Sequence, residues 1–101
     1  MIYKAILQPR ARTELLDAWI WYEERQAGLG DRFENEVYKR IEQIQHHPER
    51  YPERKEFFRE TKIKIFPYLI IYRVAEKEKV ILISSIFHTS RNPEAKYTSI
   101  E

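Results

Sequence analysis

The sequence predicts an α+β domain of order β-α-α-β-β-β, with an N-terminal strand and a helical hairpin packed on a mainly antiparallel sheet. Three observations carry this expectation. Two stretches of helical periodicity lie side by side in the first half, parted by the chain's two glycines. Strand-forming runs cluster in the second half, which suits helices packed on one sheet face. No repeat, low-complexity stretch or linker divides the 101 residues, a length suited to one domain, 1–101, with one core.

Ile2 to Gln8 is short and apolar enough for a first strand, closed by Pro9. From about Arg10 to Gln26, Ala11, Leu15, Ala18, Trp19 and Tyr22 fall at helical spacing, with Glu14, Asp17, Glu24 and Arg25 largely off that stripe. Gln26-Ala27-Gly28-Leu29-Gly30-Asp31 breaks the pattern, and both glycines are expected in this turn, where backbone with positive φ is needed. A second helix is expected over about Asp31 to His47, capped by Asp31 or a neighbour and stopped by Pro48. Phe33, Val37, Tyr38, Ile41 and Ile44 form its apolar face. Helices joined this tightly form an antiparallel hairpin, each arm about 25 Å long at 1.5 Å per residue. Glu49 to Glu56 reads as a polar loop around Tyr51-Pro52. Phe57 to Ile65 resumes extended character, and Thr61-Lys62-Ile63-Lys64-Ile65 alternates cleanly. Phe66 to Val74 and Val80 to Phe87, joined by the charged run from Ala75 to Lys79, read as an antiparallel strand pair.

Composition narrows the function classes. Aromatic residues make up 14% of the chain, including Trp19 and Trp21, enough to bury a compact core. A net charge of +2 is too small to argue for nucleic acid by itself, so the placement of charge matters more. Without cysteine there is no disulfide framework, thiolate chemistry or cysteine metal site. No signal peptide or membrane-spanning apolar run is visible, and a cytoplasmic protein with no membrane partner is expected.

The last strand delivers His88 and Arg91 to its exit, and a rigid sheet with polar groups at its edge is a means of building a working surface. Lys62 and Lys64 share one face of their strand, opposite Thr61, Ile63 and Ile65, and Arg59 precedes them. That pattern leaves two readings open. One is a solvated outer face; the other is a strip that contacts phosphates or docks an acidic partner, diluted by Glu56 and Glu60. His88 and Arg91 are equally open, because His88 can bond a backbone carbonyl and Arg91 can pair with a helix carboxylate. Asn92-Pro93 reads as a turn. His46 and His47 point about 100° apart at a helix C-terminus whose dipole favours histidine, so no metal site is expected there. Glu23 and Glu24 diverge in the same way and read as a solvated face. Trp21 lies outside the apolar stripe and is a candidate partner contact. No phosphate-binding glycine loop or serine-nucleophile elbow is present.

The sequence also resembles the RelE/ParE family of toxins. The resemblance rests on Trp21-Tyr22-Glu23-Glu24, Gly28-Leu29-Gly30-Asp31-Arg32-Phe33, Pro48-Glu49-Arg50-Tyr51-Pro52, Phe66-Pro67-Tyr68 with Tyr72-Arg73, and His88-Thr89-Ser90-Arg91-Asn92-Pro93. These recur in the same order, span nearly the whole chain and agree with the element order above. What the resemblance implies is the toxin of a type II toxin–antitoxin pair, a growth inhibitor linked to plasmid stabilisation, needing no cofactor and neutralised by direct binding of a cognate antitoxin. In this family the antitoxin is commonly the DNA-binding partner, so operator DNA is met only through it. RelE-like members cut mRNA in the ribosomal A site; ParE-like members inhibit DNA gyrase.

Metal-free RNA cleavage must activate a 2′-hydroxyl, stabilise a phosphorane and protonate a leaving oxygen. In the RelE branch, lysines and arginines on the sheet and a C-terminal tyrosine do this. Lys62 and Lys64 match that branch's paired lysines, Arg91 would stabilise charge, His88 would act as acid or base, and Tyr97 is the candidate tail tyrosine. The arginine that follows the strand tyrosine in that branch is absent, because Tyr68 is followed by Leu69. That departure and the His-x-x-Arg-Asn-Pro ending favour the ParE-like side. The expectation is a gyrase-binding toxin with Arg59, Lys62, Lys64 and Arg91 facing the target. Trp21 would touch an antitoxin segment lying along the hairpin or at a sheet edge. The alternatives are a ribosome-dependent, metal-independent endoribonuclease using Lys62, Lys64, His88 and Arg91, or a family member that only binds its antitoxin and co-represses.

Overall fold

The computed structural model describes residues 2–97. The elements are β1 (Lys4–Leu7), α1 (Pro9–Arg25), α2 (Leu29–His46), β2 (Glu53–Lys55), β3 (Phe58–Lys62), β4 (Tyr68–Ala75) and β5 (Val80–His88), followed by a 3-10 turn at Pro93–Ala95. One sheet has the order β1-β5-β4-β3-β2, with β1 parallel to β5 and every other pair antiparallel. This is the expected α+β order with one addition. Strand β2 occupies part of the segment expected to be loop, and its three charged, exposed residues carry no alternation from which a strand could be read. Short charged edge strands of this kind discourage pairing with other chains.

The hairpin covers one sheet face. Ala11, Leu15 and Ala18 of α1 meet Phe33, Val37, Ile41 and Ile44 of α2 over Ile70, Tyr72, Ile81, Ile83 and Ile86 of the central strands. Phe33 sits in an aromatic group with Tyr22, Phe66 and Tyr68, with ring centroids 4.9 to 5.3 Å from its own. Tyr38 departs from the expected face and is 47% exposed. It is one position past Val37, and a step of about 100° carries it off the buried stripe.

The two glycines do different jobs. Gly28 takes the left-handed conformation (φ 89°) and precedes α2 as its cap. Gly30 is instead inside α2 and buried, where a Cβ would lie 2.6 Å from the carbonyl oxygen of Trp19. It therefore sets how closely the helices approach. Asp31 is not the cap; it accepts a hydrogen bond from Trp19 Nε1 at 2.9 Å. The capping acceptor comes from the other helix, since the Glu23 carboxylate takes the Gly28 and Gly30 amides at 2.8 and 2.9 Å.

A bulge in β5 decides what each side of the sheet carries. Ile71 pairs with Ser85 but Tyr72 pairs with Ile83, leaving Ser84 as the extra residue. Without that insertion, Ile83 and Ile86 would point to opposite faces; with it both reach the core. His88 is thereby placed on the helix side, and Ile71 and Phe87, fully buried, lie on the second face outside the main core.

Strand β3 ends at Lys62, three residues earlier than the alternation implies. Two tight turns follow, closed by hydrogen bonds from the Phe66 amide to the Lys64 carbonyl (2.8 Å) and from the Tyr68 amide to the Phe66 carbonyl (2.9 Å). Ile65, at the centre of the first, has φ 75° and is 65% exposed rather than inward-facing. A β-branched residue is strained there. Ile65→Gly should therefore raise stability by about 1 kcal/mol despite the added freedom of the unfolded chain. Chemical denaturation would detect that as a higher midpoint with unchanged slope.

Candidate functional site

Strand β1 stops at Leu7, and the next amide, Gln8, still donates to the Ile83 carbonyl at 2.9 Å. Strand β5 runs on to His88, so its second half has lost a neighbour on that edge. Glu14 of α1 takes the neighbour's place. Its Oε1 accepts from the Ile86 amide (3.0 Å) and Ser85 Oγ (2.7 Å), and its Oε2 accepts from Arg91 Nη1 (2.7 Å) and Arg10 Nε (3.1 Å). Only 15% of the Glu14 side chain is exposed, which makes these charge-assisted bonds stronger than surface pairs.

Beyond Glu14 a cleft of about 280 Å³ opens between α1 and the end of the central strands, lined by Asp17, Trp21, Tyr68, His88 and Arg91 among others. Three residues singled out in the sequence, Trp21, His88 and Arg91, thus converge. Trp21 is 50% exposed, with the Arg25 guanidinium 3.7 Å from its ring centroid. His88 packs edge-on to Tyr68 at 4.9 Å. Its Nδ1 accepts from the Ser90 amide at 3.0 Å and lies 2.7 Å from Ser90 Oγ, so the neutral ring carries its proton on Nε2. Nε2 is then a donor, not a base. The Tyr68 phenol is pushed up to about 12, first by burial and then by Tyr22 and Glu14, and stays protonated at neutral pH.

The strip expected on β3 is not assembled. Lys62 is exposed at the strand end, opposite Leu69, on the second face of the sheet. Lys64 has turned to the helix side, where it lines a small hollow with Glu36, Lys39, Arg40 and Gln43 of α2. The early end of β3 is the reason the two lysines part. Arg59 is paired with Tyr72 and faces the hairpin side, where its Nη1 donates to the Tyr51 carbonyl at 2.6 Å and its Nη2 lies 3.4 Å from Glu53. Beside it the Tyr72 hydroxyl donates to the Pro48 carbonyl at 2.6 Å. Arg59 is therefore a tie for the segment after α2, not a free cation. Glu23, read as a solvated residue, is the helix cap described above.

After Arg91 the chain crosses the second sheet face. Arg10 Nη2 holds the Ala95 carbonyl at 2.7 Å on the β5 side, and Lys96 Nζ (3.3 Å) and the Tyr97 hydroxyl hold Glu60 on β3. Tyr97 also packs against Phe58 at 5.1 Å. Burial and the Glu60 carboxylate raise the Tyr97 phenol above its ordinary range.

Glu14 and Tyr68 line the cleft but were not among the site residues expected from the sequence. Their one available signal is geometric: a four-residue β1 beside a nine-residue β5 leaves amides that need an acceptor. Glu14→Ala should cost about 3 kcal/mol, because it leaves the buried Ile86 amide and the buried Ser85 hydroxyl without their acceptor at once. Denaturant unfolding of the variant checks this. At alkaline pH, a phenol raised from 10 to about 12 contributes stability that is complete below pH 10 and lost as pH rises towards 12. Tyr68→Phe should flatten that part of the stability–pH curve, as measured by thermal melts across this range.

Comparison with known proteins places these features in a family. Residues 5–93 match the family described as ParE toxin of type II toxin-antitoxin system, parDE. No curated protein matches the sequence. Among solved structures, a chain of the chromosomal ParDE system from P. aeruginosa superposes with a TM-score of 0.75 at 15% identity, covering 88% of this chain and 98% of that one. The isolated E. coli RelE toxin superposes with a TM-score of 0.64 at 20% identity, covering 91% and 89%. At these identities the likeness speaks for the fold. The family match spans most of the chain, and the protein belongs to the ParE toxin family of type II toxin–antitoxin systems.

Proposed function

We propose that this toxin acts by binding a protein target, DNA gyrase, and that a cognate antitoxin holds it inactive. The observation that carries the reading is the dispersal of the groups a metal-free ribonuclease would need to gather. Lys62 is on one sheet face, Lys64 is over α2, Arg91 is clasped by Glu14, and Leu69 stands in the ladder between Lys62 and Phe87. His88 presents Nε2–H as a donor, which suits the acid role and leaves the base that would activate a 2′-hydroxyl unsupplied by this ring. The cleft itself, with half-exposed Trp21 beside Tyr68 and Arg91, has the aromatic and arginine make-up of a protein-binding hot spot.

In this reading the antitoxin takes the opposite side of α1. A groove of about 710 Å³ runs between the unpaired edge of β1 and the hairpin, past Leu16, Trp19 and Tyr38. Leu16, Ile20 and Tyr38 are exposed apolar groups that an amphipathic segment would cover, while Arg12, Asp31 and Glu34 offer it both signs of charge. Trp21, the contact expected from the sequence, faces the cleft instead and falls to the target side of this reading.

Expression of the chain alone in bacteria should arrest growth with cellular mRNA intact, and the purified protein should block supercoiling by gyrase. Message cut in the ribosomal A site would sink the proposal. Each exposed charge contributes about 0.2–1 kcal/mol to such an interface, so Lys62→Ala with Lys64→Ala should weaken inhibition by roughly two- to thirty-fold. In a nuclease the same double variant would abolish cleavage.

A further inference from the structure

Among the described residues, three that are not glycine have positive φ: Glu56 (53°), Ile65 (75°) and Lys79 (55°). Glu56 and Lys79 are unbranched at Cβ, and the left-handed region is uncommon for them but open. Ile65 is branched there and is the true outlier. Its turn is the strained three-residue form, closed by the Phe66 amide on the Lys64 carbonyl at 2.8 Å. Glycine or asparagine would relieve it. The position instead holds an aliphatic side chain that is 65% exposed, so burial in the core returns little of the strain. Backbone strain of this sort persists where its surroundings over-determine it, and it gathers at contacts with ligands and partners. The surroundings here are firm, since Ile63 and Phe66 on either side are 2% and 5% exposed. Ile65 is thus held outward on a rigid base, which lowers the entropy lost when it meets a partner.

The place of the turn in the sheet decides between the two partners. The apolar groove assigned to the antitoxin borders β1, whereas Ile65 follows β3, three strand spacings or about 14 Å across the sheet. The Trp21 cleft is its nearer neighbour. The turn leads straight into Tyr68, which lines that cleft and pairs with His88, and the Pro67 carbonyl accepts the Thr89 amide at 2.9 Å. Tyr22 joins the two supports, its ring 4.9 Å from that of Phe66 and 5.1 Å from that of Trp21.

We propose that Ile65 is a second apolar anchor of the target-binding surface, seated in an apolar pocket of the same protein that meets Trp21. This rests on the reading of the cleft as the face turned to a protein target. The strained turn is what keeps the anchor out of the core and aimed at that partner.

The test sets potency against stability. Ile65→Gly, Ile65→Asn and Ile65→Val would be compared with the parent chain by denaturant midpoint, by inhibition of gyrase supercoiling, and by the protein level that halves bacterial growth when the chain is expressed alone. Loss of a buried isoleucine anchor should lower the potency of Ile65→Gly and Ile65→Asn by about ten-fold or more, although neither is less stable than the parent. Ile65→Val keeps the branch and most of the apolar surface, and should stay within about five-fold of the parent. Phe57→Ser removes a side chain that is 73% exposed at the other end of β3, and should leave potency unchanged. Growth reports potency whatever the target, whereas supercoiling reports it at gyrase alone. A parent that arrests growth and leaves gyrase active would end the gyrase reading, and the growth comparison would still judge Ile65. Parental potency in Ile65→Gly would overturn the inference, as would an equal loss in Phe57→Ser. A parent without effect on growth would overturn both.

Discussion

Glu14 resolves a mismatch of strand lengths, and much else is arranged around that solution. Strand β5 outruns β1, so the amide of Ile86 would otherwise face a gap between sheet and helix. A carboxylate placed one turn inside α1 fills it and is large enough to accept four donors. Two of these are guanidinium groups, and both also lie against Phe87, at 5.0 and 6.0 Å from its ring centroid. The acid thus fixes the helix to the sheet, fixes the exit of β5, and fixes where the chain departs across the second face. Glu60 receives that chain at the far side through Lys96 and Tyr97. Two carboxylates, one at each side of the sheet, determine the path of the C-terminal segment.

This economy consumes cations. Arg10, Arg59 and Arg91 each serve an internal bond, which separates the charge of the molecule from the charge it has to offer a partner. The fold is shared with ParDE and RelE chains, and fold alone does not choose the chemistry. What remains outward is divided between a cleft with aromatic walls, an apolar groove beside the hairpin, and lysines that do not meet.

The hairpin was legible because its apolar positions obey one period over many turns, and the late strands were legible because β-branched residues crowd there. The failures were all places where one symbol hides two physical roles. Gly28 and Gly30 look alike in the sequence, yet one supplies a positive φ and the other a missing Cβ. The alternation through Ile65 continues past the strand because periodicity has no marker for a turn that bends a β-branched residue into the left-handed region. Ser84 reads as one more strand residue although it is the bulge that sends His88 to the helix side. Arg59 borders a basic run in sequence but is opposite Tyr72 in space, and that register is not written locally. The convergence of Trp21, His88 and Arg91 was foreseeable only as separate candidates, since a helix and a strand exit so far apart in the chain meet through Glu14.

Strand β1 has a consequence for how the molecule comes into being. Its ladder partner begins at Val80, so the first strand to be synthesised must wait for the last. At about 5–20 residues per second, translation leaves the N-terminal strand without its neighbour for several seconds. Such distant pairing slows folding and postpones closure of the sheet until β5 has been made. Neither the bond from Glu14 to Ile86 nor the cleft beside it exists on a growing chain. The nascent polypeptide is then without this cleft until β5 has been made and has paired with β1.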